Sequence, residues 1–464
     1  MTEEAYDVVV IGGGPVGENA ADRAVRGGLK TALVDHERFG GECSYWACIP
    51  SKALLRPGNV LAAARRVPGV DAARPLDPAA VFERRDSFTH NLDDSSQVKW
   101  AQGAGIETVR GHARITGERE VTVDEDRVLR AAHAVVVCSG SVPKTPGIPG
   151  LADVPTWTSR DATSASEVPP RLAVLGGGVV GVEMAQAWAR LGSDVWLILT
   201  GPRPLPKYAD FAGDAVAEGL RADGVRLHAN SGLVEATAAD GAAVLELKGG
   251  ETLTVDRLLV ATGRRPATDD LGLEVIGLEP GSPLTVDDTG RVSDVDGDWL
   301  YAAGDVTGRA PLTHQGKYAA RAVGDVIAAR AAGGQVEAAP WSGFTSTADH
   351  HAVPQVIFTD PEVASVGVAG PVEGEPHRVV DIDIAVAGSA LHADGYTGKA
   401  RMVVDTEREV IVGVTFVGQD VAELLHSATI AIVGEVPLRR LWHAVPAFPT
   451  ISEVWLRLLE TYGL

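Results

Sequence analysis

Tyr6-Asp7-Val8-Val9-Val10-Ile11-Gly12-Gly13-Gly14-Pro15-Val16-Gly17 is the stretch that decides how this chain folds. A short apolar run breaks into glycines and leads into the helical pattern Asn19–Gly27. A second apolar run, Lys30–Val34, closes on Asp35, 23 positions after Gly12. A βαβ unit with this spacing is a dinucleotide-binding turn: Gly12 permits the tight turn, Gly14 lets backbone approach a pyrophosphate, and Gly17 lets helix pack on strand. The phosphates then sit at the positive end of a helix behind Pro15, and Asp35 is placed for ribose hydroxyls. One such turn is weak evidence, but the pattern recurs. Leu172–Leu175 runs into Gly176, Gly178 and Gly181, then a helix and the strand Asp194–Leu199.

Cys43 and Cys48 follow the first unit, between Gly40-Gly41 and Pro50-Ser51-Lys52. Residues i and i+5 of a regular helix are about 8.6 Å apart at Cα, whereas a disulfide tolerates about 4.4–6.8 Å. Both cysteines therefore cannot lie in one regular helix. The Ile49-Pro50 step suggests that a helix begins there, with Cys48 at its N-terminus, where the dipole and free N–H groups lower a thiol pKa. Lys52 follows by one turn and projects to the same face.

These motifs run in order with Ala261-Thr262-Gly263-Arg264, Gly304-Asp305 and Val353–Glu362. Nearly the whole chain thus resembles the class I pyridine nucleotide–disulfide oxidoreductases, the family of glutathione reductase, lipoamide dehydrogenase and mercuric reductase. The resemblance implies an α/β chain: two Rossmann-like domains, for FAD and NAD(P), and a C-terminal α+β dimerisation domain. By that analogy residues 1–150 and 271–340 form the FAD domain, 151–270 the inserted nucleotide domain and 341–464 the C-terminal domain. FAD would be held by the first turn with Asp35, Gly41, Lys52, Gly140, Gly304 and Asp305, and NAD(P)H by the second turn with Gly263. Resemblance also assigns Cys48 as the thiolate that contacts the flavin, Cys43 as the thiol that exchanges with substrate, and Lys52–Glu183 as a pair near flavin N5. It implies a homodimer in which each active site takes residues 448 and 453 from the other subunit.

Several positions depart from the family pattern. The residue that is Glu in NAD-using relatives is Leu199, and the arginine positions of NADP-using relatives fall at Leu199 and Leu205. Only Thr200 and Arg203 lie nearby. With no carboxylate to repel a 2′-phosphate, NADPH is admissible and slightly preferred, with Arg203 as its candidate ligand. Glu42, Tyr45, Trp46 and Ala47 replace the usual dithiol surroundings, suggesting a tighter, more apolar entrance or simple packing. Cys138, in an apolar strand, reads as an inert core thiol. Aligning Pro449, Thr450 and Glu453 with the family's His–Glu segment puts Phe448 where the histidine belongs. Phenylalanine carries no proton, and thiol–disulfide exchange needs one carried. Efficient reduction of lipoamide or glutathione disulfide is then doubtful. His443 is a candidate for a substitute base.

The expected function is NAD(P)H oxidation through FAD and Cys43–Cys48 to an unidentified small acceptor. Alternatives are a quinone or dye reductase, a carboxylating relative on the same scaffold, or a dithiol redox sensor without turnover. Mercury is demoted because a C-terminal cysteine pair is missing. The bulk properties agree. The 464 residues exceed one core. A net charge of −21 argues against nucleic acid or anionic membrane as a partner. Three cysteines exclude a secreted disulfide framework, and the chain start shows no basic leader, so a cytoplasmic location is expected.

Overall fold

The computed structural model describes residues 2–464. Two compact units emerge: the first runs through Ile49, then Asp86–Lys144 and Arg264–His350, and the second comprises Pro50–Arg85, Thr145–Gly263 and His351–Leu464.

In the first unit, β1 (Thr2–Ile11), β2 (Thr31–Asp35), β3 (Glu107–Arg110), β4 (Ala113–Gly117), β5 (Glu120–Val123) and β6 (Arg127–Val137) share one sheet. Its parallel part runs β3-β2-β1-β6, and Leu300–Ala302 is added alongside Val135–Val137. Val8–Val10 and Val135–Val137 are almost completely buried, as expected of parallel strands covered on both faces. Covering them is α1 (Pro15–Arg26), whose Ala20, Ala21 and Ala24 are buried, and it packs on the helix Thr313–Ala331.

Two expectations shift here. The alternation over Ile106–Arg114 suggests a hairpin, but β3 pairs in parallel with β2, and the hairpin is β4–β5. The sequence alternates like a hairpin over Arg119–Leu129 and reads as a separate strand from Ala134, whereas the structure joins Arg127–Val137 into the eleven-residue β6. Its first half pairs with β5 and its whole length with β1.

The second unit holds the repeat of the βαβ pattern. Its parallel sheet runs Arg226–His228, Asp194–Ile198, Arg171–Leu175, Arg257–Val260, Thr156–Trp157. The helix Val179–Arg190 follows the second glycine turn, with Trp188 fully buried. Beyond residue 351 lies a five-stranded antiparallel sheet: Gln355–Ile357, Glu362–Gly367, Val410–Gly418, Lys399–Asp405, His377–Asp383. The last of these strands went unread in the sequence, because its alternation carries the charged Arg378, Asp381 and Asp383.

Candidate active site

In the first unit, the glycine turn is as tight as its sequence demands. Gly12 has φ +107°, and a Cβ there would meet the Cys138 carbonyl oxygen at 2.3 Å; one on Gly17 would lie 1.9 Å from the Gly12 oxygen. Gly14 caps α1 with no side-chain hydrogen bond, Pro15 follows, and the space beside Gly14 is open apart from Gly41. The first-turn N–H groups therefore face a cradle suited to a phosphate. Asp35, ending β2, accepts hydrogen bonds from the Gly13 and Glu37 N–H groups, both at 2.7 Å. Around the same strand ends, Ser139 Oγ and Glu18 Oε1 are buried and lack hydrogen-bond partners among the described residues. Burial lifts the Glu18 carboxyl to about 7. Asp305 accepts from Ser141 Oγ at 2.6 Å. An uncapped helix start, open space and orphaned polar atoms at sheet ends fit a dinucleotide such as FAD.

The dithiol lies in the same unit. Cys43 sits in the short helix α2 (Gly41–Tyr45), and Cys48 opens the helix α3 (Cys48–Arg65), so the break falls between the two cysteines. They are present as a dithiol. Thr313 Oγ1, from a residue far along the chain, lies 3.3 Å from Cys43 Sγ and 3.2 Å from Cys48 Sγ. The Cys43 thiol is pushed well above its usual range, first by its hydrogen bond to Cys48 and then by burial, while the Thr313 hydroxyl opposes this. Tyr45 and Trp46 are 2% and 8% exposed, so they pack inward and do not form an entrance. Their rings meet edge to face at 5.7 Å. Burial raises the Cys138 thiol to about 12, consistent with an inert core residue.

A polar chain adjoins Cys43. Glu42 Oε2 lies 3.3 Å from an Arg264 terminal nitrogen. Arg264 donates through Nε to Ser141 Oγ (2.7 Å) and through Nη2 to the Ser141 carbonyl (2.6 Å). Nothing local in the sequence marks Thr313, Ser141 or Arg264 as partners of the dithiol segment.

In the second unit, Lys52 Nζ reaches Glu183 Oε2 at 2.8 Å, joining residues 131 positions apart. The Glu183 side chain is 3% exposed, and its other oxygen accepts from the Phe358 N–H at 3.0 Å. The second glycine turn repeats the first: Gly176 has φ +113°, Gly181 packs against its carbonyl, and Gly178 caps the helix with open space beside it. Gly140 and Gly263 also have positive φ with open space around them. Arg203, the candidate phosphate ligand, is paired with Asp210 and with Asp214 (3.3 Å). Leu199 and Leu205 are buried. The guanidinium offered for a 2′-phosphate is thus already matched by two carboxylates.

Near the C-terminus, Phe448 is 76% exposed and Val445 83%. Glu453 is buried, and its Oε2 has no hydrogen-bond partner among the described residues. His443 is exposed.

Two sheets with glycine turns and a dithiol at a helix start define a flavin- and nucleotide-linked oxidoreductase. Comparison with known proteins agrees: the pyridine nucleotide-disulphide oxidoreductase family matches residues 6–330, and that family's dimerisation domain matches residues 353–458. The chain belongs to this family. It is 32% identical to dihydrolipoyl dehydrogenase of Bacillus subtilis, over 98% of this chain and 99% of the relative. It is 31% identical to mercuric reductase of Acidithiobacillus ferrooxidans, over 96% of this chain and 80% of the relative. In fold it is similar to the HOCl-induced flavoprotein disulfide reductase RclA from Escherichia coli. That match has a TM-score of 0.83 and 23% identity, and covers 98% of this chain and 99% of the other. The protein is therefore a flavoprotein disulfide oxidoreductase that uses NAD(P)H with Cys43–Cys48 as its redox pair. FAD and a pyridine nucleotide are typical of the family, and the dimerisation domain implies a homodimer. Among the described residues, no helix is long and apolar enough to cross a membrane.

Proposed function

We propose that this enzyme passes electrons from Cys43–Cys48 to a small acceptor that needs no protein-borne acid, a quinone or a metal ion rather than a lipoyl or glutathione disulfide. What supports this reading is Phe448, exposed at the position that the alignment of Pro449, Thr450 and Glu453 gives to the family's histidine, while Glu453 is buried with one carboxylate oxygen unmatched among the described residues. An aromatic ring can neither take nor return a proton, so a departing thiolate finds no acid at that position.

In this reading FAD occupies residues 1–150 and 271–340, the nucleotide 151–270, and the dimer contact 341–464. Asp35 and Asp305 hold the ribose and ribityl ends, and the Gly12–Gly17 turn, with Gly41, Gly140 and Gly304, cradles the pyrophosphate. Bound FAD supplies the two-electron link between a nicotinamide hydride and a sulfur–sulfur bond. Cys43 faces the acceptor, and Cys48 faces the flavin. Two electrons leave the dithiol as its S–S bond re-forms and two protons are released. Thr313 supplies a hydroxyl to whichever sulfur bears charge. Lys52, fixed by Glu183, places a cation one turn beyond Cys48 on α3. With Arg203 held by Asp210 and Asp214, the preference for NADPH loses its support, and we assign the enzyme to either nucleotide. The location is proposed as cytoplasmic, from the reduced dithiol chemistry and the acidic composition.

Phe448→His tests the reading, since it restores a titratable ring at the position that Glu453 serves. Lipoamide or glutathione disulfide reduction should rise at least about tenfold, within the range of general acid–base catalysis, while quinone turnover stays level. Unchanged disulfide activity would show that the missing base does not set the choice of acceptor.

A further inference from the structure

The polar chain beside the dithiol is unexplained by the electron relay. Its ends are Glu42, the residue immediately before Cys43, and Asp305, at the start of a short 3-10 turn behind the strand Leu300–Ala302. Between them lie Arg264 and Ser141, linked by contacts of 2.6–3.3 Å. These two residues belong to a two-stranded antiparallel ribbon in which Arg264–Pro266 pairs with Ser141–Pro143. The ribbon has a special place in the chain. Lys144 is the last residue before the inserted segment Thr145–Gly263, and Arg264 is the first after it. Both crossings of the inserted segment therefore pass through the ribbon that Glu42 grips.

The α2 helix is already held on its other side. The Gly40 N–H donates to the Gly13 carbonyl at 2.7 Å, Gly41 packs on Gly14, and Tyr45 is buried. The Glu42–Arg264 pair ties this five-residue helix to the ribbon, with side chains 21% and 29% exposed. Arg264 is the cation that stands between the carboxylates of Glu42 and Asp305 in this chain of contacts. Losing it would remove that positive charge from beside two carboxylates, one of them at the proposed ribityl position.

We propose that Glu42 and Arg264 act as one positioning unit, a clasp that fixes the Cys43 helix and the Asp305 carboxylate to the ribbon where the inserted segment leaves and re-enters. This rests on the dithiol relay for its role in turnover, but not for its physical effect on the cofactor cradle.

A double-mutant cycle with Glu42→Gln, Arg264→Gln and the double variant tests it, read in two ways. The first readout is the rate of FAD release from oxidised holoenzyme, followed by flavin fluorescence, which needs no functioning dithiol. Each single substitution should speed release about 3- to 10-fold, the scale of a partly buried pair backed by hydrogen bonds, and the double variant should go no further than the faster single. The second readout is the long-wavelength absorbance of the two-electron-reduced enzyme, whose intensity should fall in both singles and recover partly in Arg264→Lys. Melting curves show which variants are folded, and Glu42→Thr provides a smaller neutral substitution should Glu42→Gln misfold. Effects that multiply in the double variant, or release rates equal to the parent in both singles, would overturn the clasp. Absence of the long-wavelength band in the unmodified enzyme would instead count against the relay, leaving the release cycle to judge the clasp.

Discussion

Lys52→Met is the perturbation whose consequence follows most fully from the geometry. Lys52 Nζ and Glu183 Oε2 are 2.8 Å apart, with side chains 35% and 3% exposed. At an effective dielectric near 20, charges at that separation attract by about 6 kcal/mol. Desolvating the carboxylate offsets much of this, so the intact pair contributes little net stability. Removing one partner is different, because the surviving charge no longer has compensation. Without Lys52, the Glu183 carboxylate stays buried with only the Phe358 N–H as a donor, and a loss of about 3–5 kcal/mol is expected. Without Glu183, the ammonium can turn to water, so Glu183→Gln should cost about 1–2 kcal/mol. The order matters more than the values: Lys52→Met must be the worse variant, and Lys52→Met with Glu183→Leu should regain most of the loss. Thermal unfolding followed by circular dichroism is the assay. At about 2–4 °C per kcal/mol for a unit of this size, the midpoint should drop by roughly 6–20 °C for Lys52→Met. Equal midpoints for the two single variants, or a Lys52→Met protein melting with the parent, would refute the reasoning.

Thr313→Val removes the hydroxyl shared by both sulfurs while keeping the volume. Thiolate formation loses a donor, so iodoacetamide should alkylate the reduced enzyme about three- to tenfold more slowly at pH 7, and Thr313→Ser should restore the rate. An unchanged rate would remove Thr313 from the account. Burial, with Asp420 and Asp360 adding to it, lifts Glu362 from 4.5 to about 7, against the Ala422 N–H and Arg56. The folded protein therefore keeps a proton that the unfolded chain gives up, and this stability is full below about 4.5 and lost as pH rises through 7. Glu362→Gln can still accept from Ala422 but cannot ionise. Its urea midpoint should gain on the parent between pH 5 and 8, by up to about 3 kcal/mol; a pH-independent difference would contradict the shift.

Much of the fold was legible because its signals are local. The glycine turns at Gly12–Gly17 and Gly176–Gly181 need particular backbone conformations and close approaches, and only glycine meets both, so the motif reports the geometry directly. The break between Cys43 and Cys48 follows from helix dimensions alone. Other features depend on distant partners. Whether Glu107–Arg110 forms a hairpin or joins β2 is decided by which strand is nearest, and alternation is the same in either case. For Tyr45 and Trp46 the sequence leaves an apolar entrance and simple packing equally open, because both residues flank a reactive thiol in either case, and burial decides for packing. Thr313 meets the dithiol across more than 260 positions, and Arg264 meets Glu42 across more than 220, so neither contact leaves a trace in local pattern. Lys52–Glu183 is also distant, but family resemblance carried it where periodicity could not.

Anaerobic titration of the purified holoenzyme with NADPH tests the electron relay most directly. Uptake of two electrons should produce a broad absorbance band beyond the flavin peaks, from a Cys48 thiolate against oxidised flavin, and Cys48→Ser should abolish it. Direct bleaching of the flavin with no such band, or a band that survives Cys48→Ser, would contradict a path through residues 43 and 48.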